Sequence, residues 1–448
     1  VYTAGTTGKP KGVQLSHGNF RSNVNQSYRR YGPRPDKPQS RCIDEHTVTV
    51  SFLPLAHVFE RLAGHYMIFA AGGTVSYAES VDTLKDDFQL FEPNTATSVP
   101  RVYEKMYDAI QEQAQESSIK ERIFRWAIEI GRAYHRQEHP GRWLGFRYAL
   151  ADRLVFSDVR EALGGNIDFL VSGGGTLSTE LCDLYFAMGL PIFEGYGLTE
   201  ASPVVTANPP TEPKTGTIGP AVHDMELTID RSVLPSTYSL EDSEEIGELL
   251  VKGPNVTDGY WEKPEETEKA FTDEGYLRTG DVVERREDGY YEFLDRVKQL
   301  IVLSTGKNIA PAPIEDDFAA INIIEQVMVI GEDRKFISAL VVPNFEALRW
   351  FAESQGVEVP DEPAAICDDE DARDLIAHEI ERVNEHFEDH ERIKKFRLVP
   401  EEFTTENGLM TPSMKKKRHD IREHYSAQIA DMYGEKEFEE EAAAADDD

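Results

Sequence analysis

The N-terminal half of the chain reads as a repeating rhythm of apolar and alternating stretches separated by polar breaks. Residues 13–15 leave a Gly- and Thr-rich opening as a short apolar run and are expected as a strand, after which Ser16 is placed to cap a helix from His17. Thr47 to Leu53 alternates and is rich in β-branched residues, which predicts a strand stopped by Pro54. An apolar helix to about Ala71 follows, then a strand over 74–77. A short strand at 96–99 passes at Pro100 into another helix. A buried strand over 168–171 runs into Ser172-Gly173-Gly174-Gly175, Ser178 caps the next helix, and 191–193 is the strand beyond it. Strand and helix in this alternation predict an α/β domain.

From Thr215 to Phe293 the pattern shifts to short strands punctuated by Gly, Asp and Pro, which predicts a β-rich region. Glu292 to Leu303 is strand-like but interrupted by Asp295-Arg296-Val297-Lys298. Beyond it a helix is expected over 314–323, strands over 326–330 and 337–342, and a long charged helix over 371–386, together a small α+β domain. Residues 434–448 are Glu, Ala and Asp almost throughout and are expected as a disordered acidic tail. A chain of 448 residues exceeds the usual size of one hydrophobic core, in keeping with at least two domains.

Charge narrows the function. Lys and Arg total 47 against 82 Asp and Glu, a formal net charge of -35, which repels polyanions and excludes nucleic acid as a partner. So large an acidic excess fits a salt-adapted, halophilic source, where screening makes self-repulsion tolerable. Any anionic small molecule then needs a local basic exception, and Lys9/Lys11, Arg296/Lys298, Lys307 and 415–418 supply such clusters. The stretch 120–153 is basic and aromatic, with Arg132, Arg136, Arg142, Arg147, Trp126 and Trp143. It can be read as a peripheral contact with an anionic membrane, or as a surface helix pair with Ile123, Trp126 and Ile130 packed inward; the second reading is preferred. Cys42, Cys182 and Cys367 are few, odd in number and far apart, so neither a disulfide framework nor a zinc site is expected. No apolar run is long enough to span a membrane, and a soluble cytoplasmic protein is expected.

The candidate chemistry begins with Tyr2-Thr3-Ala4-Gly5-Thr6-Thr7-Gly8-Lys9-Pro10-Lys11-Gly12. Glycines that allow close backbone approach, threonine hydroxyls and two lysines make a phosphate cradle, although the spacing is not that of the P-loop. Ile192-Phe193-Glu194-Gly195-Tyr196-Gly197-Leu198-Thr199-Glu200 offers an aromatic face at Tyr196, a hydroxyl at Thr199 and a hard oxygen ligand for Mg²⁺ at Glu200. Thr279-Gly280-Asp281 presents a carboxylate suited to the two hydroxyls of a ribose.

In this order the motifs resemble those of the adenylate-forming superfamily, which comprises acyl-CoA synthetases, luciferases and peptide-synthetase adenylation domains. Leu53-Pro54-Leu55-Ala56-His57-Val58-Phe59-Glu60-Arg61 and Pro100-Arg101-Val102-Tyr103-Glu104-Lys105-Met106 resemble the long-chain fatty acyl-CoA synthetase branch. The resemblance runs from Val1 to about Tyr425. It implies a layered αβαβα N-terminal domain over 1–297, with the β-rich subdomain at about 215–297, and a small mobile α+β domain over 298–433. Because the chain opens at Val1 inside a motif, the large domain is expected to be N-terminally truncated.

The resemblance also implies roles. Thr3, Gly5, Thr6, Thr7, Gly8 and Lys11 would hold the ATP phosphates; Gly173, Gly174, Gly175, Glu194, Tyr196 and Gly197 would line the adenine. Thr199 and Glu200 would serve phosphate and Mg²⁺, Asp281 the ribose, and Arg296 the ribose or phosphate side. His57 would lie at the acyl pocket, Lys298 at the hinge between half-reactions, and Ser304 and Gly306 on the loop that meets CoA. Thr411-Pro412-Ser413-Met414-Lys415-Lys416-Lys417-Arg418 resembles the segment bearing one mobile lysine, and alignment selects Lys415; Met414 departs from the glycine of many relatives. The implied reaction joins a long-chain fatty acid to AMP with loss of pyrophosphate, then passes the acyl group to CoA. Its alternatives are a ligase for another carboxylate, one loading a carrier protein, or a nucleotide-binding remnant without turnover.

Overall fold

In the computed structural model the described residues are 1–3, 10–38, 40–80, 83–115, 117–137, 140–233, 245–305, 307–410 and 416–434, without the side chains of 115, 118, 233, 298 and 308. The chain divides into two compact units. One comprises Val1–Asp230, Glu248–Thr279 and Val283–Phe293; the other comprises Arg231–Gly247, Gly280–Val282 and Leu294–Asp448.

The first unit is built on six strands, β1 (Val48–Ser51), β2 (Thr74–Tyr77), β3 (Thr95–Ser98), β4 (Phe169–Ser172), β5 (Ile192–Gly197) and β6 (Val204–Ala207), in the order β2-β1-β3-β4-β5-β6. The first five run parallel and β6 is antiparallel to β5. A parallel sheet must be covered on both faces, and it is. Ala96, Leu170 and Ile192 pack with Tyr103, Ile128, Leu181 and Tyr185 of the helices Pro100–Gln115, Ser118–His135 and Thr179–Ala187. On the other face Phe169 and Phe193 stack on Tyr31, with Ile43, Met67 and Ile68 beside them.

The helix His17–Tyr31 starts as its sequence requires. Ser16 accepts the Asn19 N–H at 3.1 Å while Asn19 Oδ1 accepts the Ser16 N–H at 2.8 Å, closing a reciprocal cap. Residues 13–15 form no strand: Val13 makes a single bridge with Tyr260. The apolar segment after Pro54 is helical, but Glu60–Tyr66 is wound as a π-helix before Met67–Ala71.

Four further strands, β7 (Glu226–Asp230), β8 (Ile246–Lys252), β9 (Leu277–Arg285) and β10 (Tyr291–Arg296), form a sheet in the order β10-β9-β8-β7. The expected β-rich region is therefore present, with one short helix, Pro264–Ala270, inside it.

The second unit holds a short antiparallel pair, β11 (Ile301–Val302) with β12 (Asn308–Ile309), and a three-stranded sheet. There β13 (Ile324–Ile330) and β14 (Ser338–Pro343) are antiparallel and β15 (Lys395–Leu398) lies parallel to β14. Val327, Val329, Ala339 and Val341 face Ile314, Phe318, Leu348 and Ile376. Met328, Ile330, Leu340 and Val342 face Ile421 and Ile429, so helices cover both faces here as well. The helix expected over 314–323 lies at Pro311–Ala319, its proline at the first turn where no N–H is needed.

Candidate active site

In the first unit, the opening stretch folds back on itself. Val13 N–H donates to Val1 C=O at 2.7 Å and Thr3 N–H to Lys11 C=O at 3.0 Å, while Lys11 N–H reaches the Thr3 hydroxyl at 3.2 Å. The two arms thus pair on either side of residues 4–9. The same arm is stitched to a distant segment, because Trp261 N–H donates to Gly12 C=O at 2.7 Å and Gln14 N–H to Gly259 C=O at 3.0 Å. That stitching brings Tyr260 beneath Lys11, whose Nζ sits 4.2 Å from the ring centroid and 3.3 Å from Glu266. The Tyr260 hydroxyl donates to Glu200 Oε1 at 2.7 Å, and Thr257 N–H to the Glu200 carbonyl at 2.7 Å.

Lys11, Tyr260 and Glu200 therefore form one connected group. The Lys11–Glu266 pair is half exposed and worth at most about 1 kcal/mol, so it leaves the ammonium available to an anion. The hydroxyl-to-carboxylate bond, worth about 1.5–3 kcal/mol, holds one oxygen of Glu200 and takes nothing from Oε2. Burial, and then Glu200, raise the Tyr260 phenol well above its ordinary value, so it stays a donor at neutral pH.

The ends of the parallel strands carry the remaining groups of this unit. Gly173 N–H donates to Ser98 C=O at 3.2 Å, and a Cβ on Gly173 would lie 2.8 Å from the Phe59 ring. Gly174 has φ of +78°, and a Cβ on Gly197 would meet the Pro203 carbonyl oxygen at 2.1 Å. Both segments are thus thin because backbone or ring already fills the space a side chain would take.

Ser98, Ser172 and Glu194 stand in register on β3, β4 and β5, all buried. Burial raises the Glu194 carboxyl to about 8 against one backbone hydrogen bond from Leu177. Burial thus favours the protonated form of Glu194. Tyr196 follows on β5, its ring 6.4 Å from that of Phe293. Thr199 opens the turn that bears Glu200. His57 is exposed, on the turn before the π-helix, and its Nδ1 accepts the Phe59 N–H at 3.3 Å.

In the second unit Asp281 is buried and its Oδ1 lies 3.2 Å from Arg296 Nε. Two residues predicted separately for the ribose side are thereby brought together. Asp295 accepts the Arg296 and Ala312 N–H groups at 2.6 and 3.0 Å, capping the helix Pro311–Ala319 where Ala310 cannot. Ser304 is exposed and donates its N–H to the Arg334 carbonyl at 2.8 Å. Lys298 lies in a 3₁₀ turn, Val297–Gln299.

Glu315, buried, binds Lys416 Nζ at 2.7 Å and Arg418 Nη1 at 2.6 Å. Lys417 faces Asp420 at 3.6 Å. Gly5, Thr6, Thr7, Gly8, Lys9, Gly306 and Lys415 lie outside the described residues, as does the acidic tail.

Sequence reasoning missed Tyr260, Glu266 and Glu315. For Tyr260 a signal exists, a Gly-Tyr-Trp triplet of permissive backbone and two large rings in a polar stretch, but no local pattern says which distant strand it meets. Among the described residues no cluster of three or more His, Cys, Asp or Glu could hold a metal. The donor set nevertheless suits Mg²⁺, which takes one or two carboxylates and completes its shell with phosphate oxygens and water. Glu200 Oε2 is such a carboxylate oxygen, and the Thr199 hydroxyl is a further oxygen donor on the same turn.

Residues 1–261 match the AMP-binding enzyme family, and residues 298–437 match the AMP-binding enzyme C-terminal domain. The chain is 35% identical to the long-chain-fatty-acid–CoA ligase FadD15 of Mycobacterium bovis over 97% of its length and 68% of that protein. It is 33% identical to the human long-chain-fatty-acid–CoA ligase 1 over 96% of its length. It thus spans about two thirds of the first of these relatives and 60% of the second. Among solved structures, the adenylation domain of a carboxylate reductase from Mycobacterium chelonae superposes with a TM-score of 0.66, covering 97% of this chain and 59% of that one at 26% identity. The o-succinylbenzoate coenzyme A synthetase of Bacillus subtilis, solved with ATP and magnesium ion, shares the fold with a TM-score of 0.59 at 22% identity, over 89% of this chain and 66% of that one.

Proposed function

Since the chain belongs to the AMP-binding enzyme family, in company with the long-chain-fatty-acid–CoA ligases, we propose that Lys11, Glu200 and Lys415 carry its reaction. That reaction is the ATP-dependent conversion of a long-chain fatty acid to acyl-AMP, followed by transfer of the acyl group to CoA. In the first step a carboxylate oxygen attacks the α-phosphorus, the bond to the β-phosphate oxygen breaks, and pyrophosphate leaves in line. Negative charge gathers on phosphate oxygens, so the protein must supply cations and donors rather than a nucleophile. In the second step the thiol sulfur of CoA attacks the acyl carbon, AMP leaves and the thiol proton is lost to solvent.

The observation that carries this division of labour is the connected group Lys11–Tyr260–Glu200 next to the Gly-rich stretch of the sequence. Lys11 places a positive charge where the β- and γ-phosphates would lie. Tyr260 orients Glu200, and Glu200 with Thr199 would hold Mg²⁺, which when bound neutralises phosphate charge. Asp281 and Arg296 would bind the ribose; Gly173, Gly174, Gly175 and Tyr196 would flank adenine. Glu194 would line the nucleotide from its buried place on β5. Lys298 would be the hinge, Ser304 and Gly306 would meet CoA, and His57 would sit at the mouth of the acyl pocket.

The test is pyrophosphate release that requires palmitate and ATP, with thioester appearing only when CoA is added. Release driven better by an aryl acid, or nucleotide binding without any release, would overturn the long-chain assignment or the enzyme reading respectively.

A peripheral membrane contact also belongs here, in a narrower form than the whole of 120–153. In the helix Ser118–His135 Ile130 is buried, Trp126 packs against the core, and Arg132 and Arg136 pair with Glu180 and Asp183. The next helix, Arg142–Ala151, instead leaves Trp143, Phe146 and Leu150 exposed at helical spacing, and Leu154 is exposed in the π-helical segment Asp152–Phe156 that continues it; Arg142 and Arg153 are exposed as well. Among the described residues no helix is long and apolar enough to cross a membrane. Flotation with vesicles containing anionic lipid is expected for the chain and lost in the Trp143→Ser/Phe146→Ser variant; equal flotation of both would remove this face from consideration.

A further inference from the structure

Three consecutive lysines, 415–417, follow the loop that the reading above assigns to adenylation, and the structure gives the second of them a different task. Lys416 Nζ is committed twice, to Glu315 Oε2 at 2.7 Å and to the Val327 carbonyl at 2.5 Å. Arg418 is committed in the same way, to Glu315 Oε1 at 2.6 Å and to the Val329 carbonyl at 2.6 Å. Glu315 Oε1 accepts a third bond, from Val329 N–H at 2.8 Å. The carboxylate is fully buried, so these are desolvated charges whose partners leave no spare acceptor. Burial by itself would raise its pKa, but Arg418 and Lys416 outweigh that and hold the carboxyl below its ordinary range, as a permanent anion.

The clamp lies beside a short backbone pairing. Met410 and Lys416 face each other as an antiparallel bridge and Lys417 N–H donates to Leu409 C=O at 2.9 Å, so residues 409–410 and 416–417 are tied together at this point. Glu315 in turn lies one helical turn from Ala312, whose N–H is capped by Asp295 in the segment Asp295-Arg296-Val297-Lys298. Asp295 also senses the charges of Arg418 and Glu315. The short helix Pro311–Ala319 thus joins Asp295 to the residues that hold Lys416 and Arg418.

We propose that Glu315 is a positioning residue for acyl-adenylate formation: by gripping Lys416 and Arg418 it fixes the base from which Lys415, one peptide bond away, reaches the reacting groups. The inference rests on Lys415 as the adenylation lysine. It excludes Lys416 from that role, because the two bonds that hold its ammonium, to Glu315 and to the Val327 carbonyl, would both have to break before it could reach a nucleotide. Positioning matters to a step carried by one long flexible side chain, since a displacement of about 1 Å can lower such a rate by about 100-fold.

The two half-reactions separate the possibilities. Full-length chains carrying Glu315→Gln, Lys416→Met and Lys415→Ala are assayed for palmitate-dependent pyrophosphate release and for thioester formation from supplied palmitoyl-AMP and CoA. Glu315→Gln is expected to lower kcat of the first reaction roughly 10- to 100-fold with KM for ATP and the second reaction within about twofold. Lys416→Met, which keeps the Glu315–Arg418 pair and carries the test should Glu315→Gln fail to fold, is expected to show the same selective loss, smaller by several-fold. Normal pyrophosphate release in both, while Lys415→Ala is inactive in that step, overturns the positioning role and leaves the reading of Lys415 intact. Equal loss in both half-reactions by folded variants makes the clamp structural only and overturns it as well. If Lys415→Ala releases pyrophosphate normally, the lysine was misassigned and the inference falls with it.

Discussion

Glu60 is the strongest test of how burial sets charge in this chain. It sits at the first turn of the π-helix, 1% exposed, with Oε1 accepting the Ser51 hydroxyl at 2.5 Å and Oε2 without a partner among the described residues. Its carboxyl curls onto Gly64, where a Cβ would lie 2.3 Å from Oε1, so it has no room to swing toward water. Burial raises its pKa from 4.5 to about 7, with the Ser51 hydrogen bond opposing. A shift of about 2.5 units corresponds to ~3.4 kcal/mol between the protonation states.

The sign follows from proton linkage. With the folded pKa raised, the native state binds more protons between about pH 4.5 and pH 7, so stability is full below that window and is lost as pH rises through it. Some 0.8 kcal/mol of the penalty is felt at about pH 5 and nearly all of it at about pH 8, a difference of ~2.5 kcal/mol. Glu60→Gln keeps an acceptor for Ser51 and cannot ionise. Its stability relative to the parent is therefore expected to rise by ~2.5 kcal/mol from about pH 5 to about pH 8, read from guanidinium unfolding followed by tryptophan fluorescence. If the difference between the two proteins stays constant to within about 0.5 kcal/mol across that range, Glu60 is already ionised or solvated in the native state and the reasoning is refuted.

The remaining predictions concern the nucleotide groups and the charge balance. Tyr260→Phe removes the donor to Glu200 and is expected to raise KM for ATP roughly 10-fold, as loss of a charge-assisted bond implies; an unchanged KM would detach Tyr260 from the site. Asp281→Ala is expected to weaken ATP binding by isothermal titration on the order of 10-fold, and equal affinity would remove Asp281 from the ribose contact. For Gly197→Ala the new methyl meets the Pro203 carbonyl oxygen, so a loss of about 1–3 kcal/mol in unfolding free energy is expected, and an equally stable variant would mean that the strand end yields freely. Because the net charge is -35, raising KCl from about 0.1 M to about 2 M is expected to raise Tm, and a flat profile would count against salt adaptation.

What could be read beforehand depended on whether the determinant was local. Strand β2 and the caps at Ser16 and Ser178 were legible because alternation, β-branching and a side chain reaching its own helix are all encoded within a few residues. Residues 13–15 misled because the pairing partner of Val13 is Tyr260 and the contact ends after a single bridge. Strand β15, Lys395–Leu398, interleaves charge with apolar residues and carries no strong pattern; it exists because β14 offers it a parallel edge. The site was legible as motifs, but the groups that orient those motifs were not. Tyr260 acts on Glu200 from sixty positions away, and Glu315 on Lys416 from 101, distances over which no spacing rule operates.

Lys11 and Glu266 touch across 255 positions of chain, and Gly12 is bonded to Trp261. A polypeptide emerging from the ribosome therefore displays its phosphate-seeking stretch long before the tyrosine that supports it has been made. Local helices and the parallel sheet can collect early, whereas this closure must await the synthesis of Tyr260 and Glu266. Nascent chains stalled short of residue 261 should accordingly fail to retain ATP, however well their sheet has assembled.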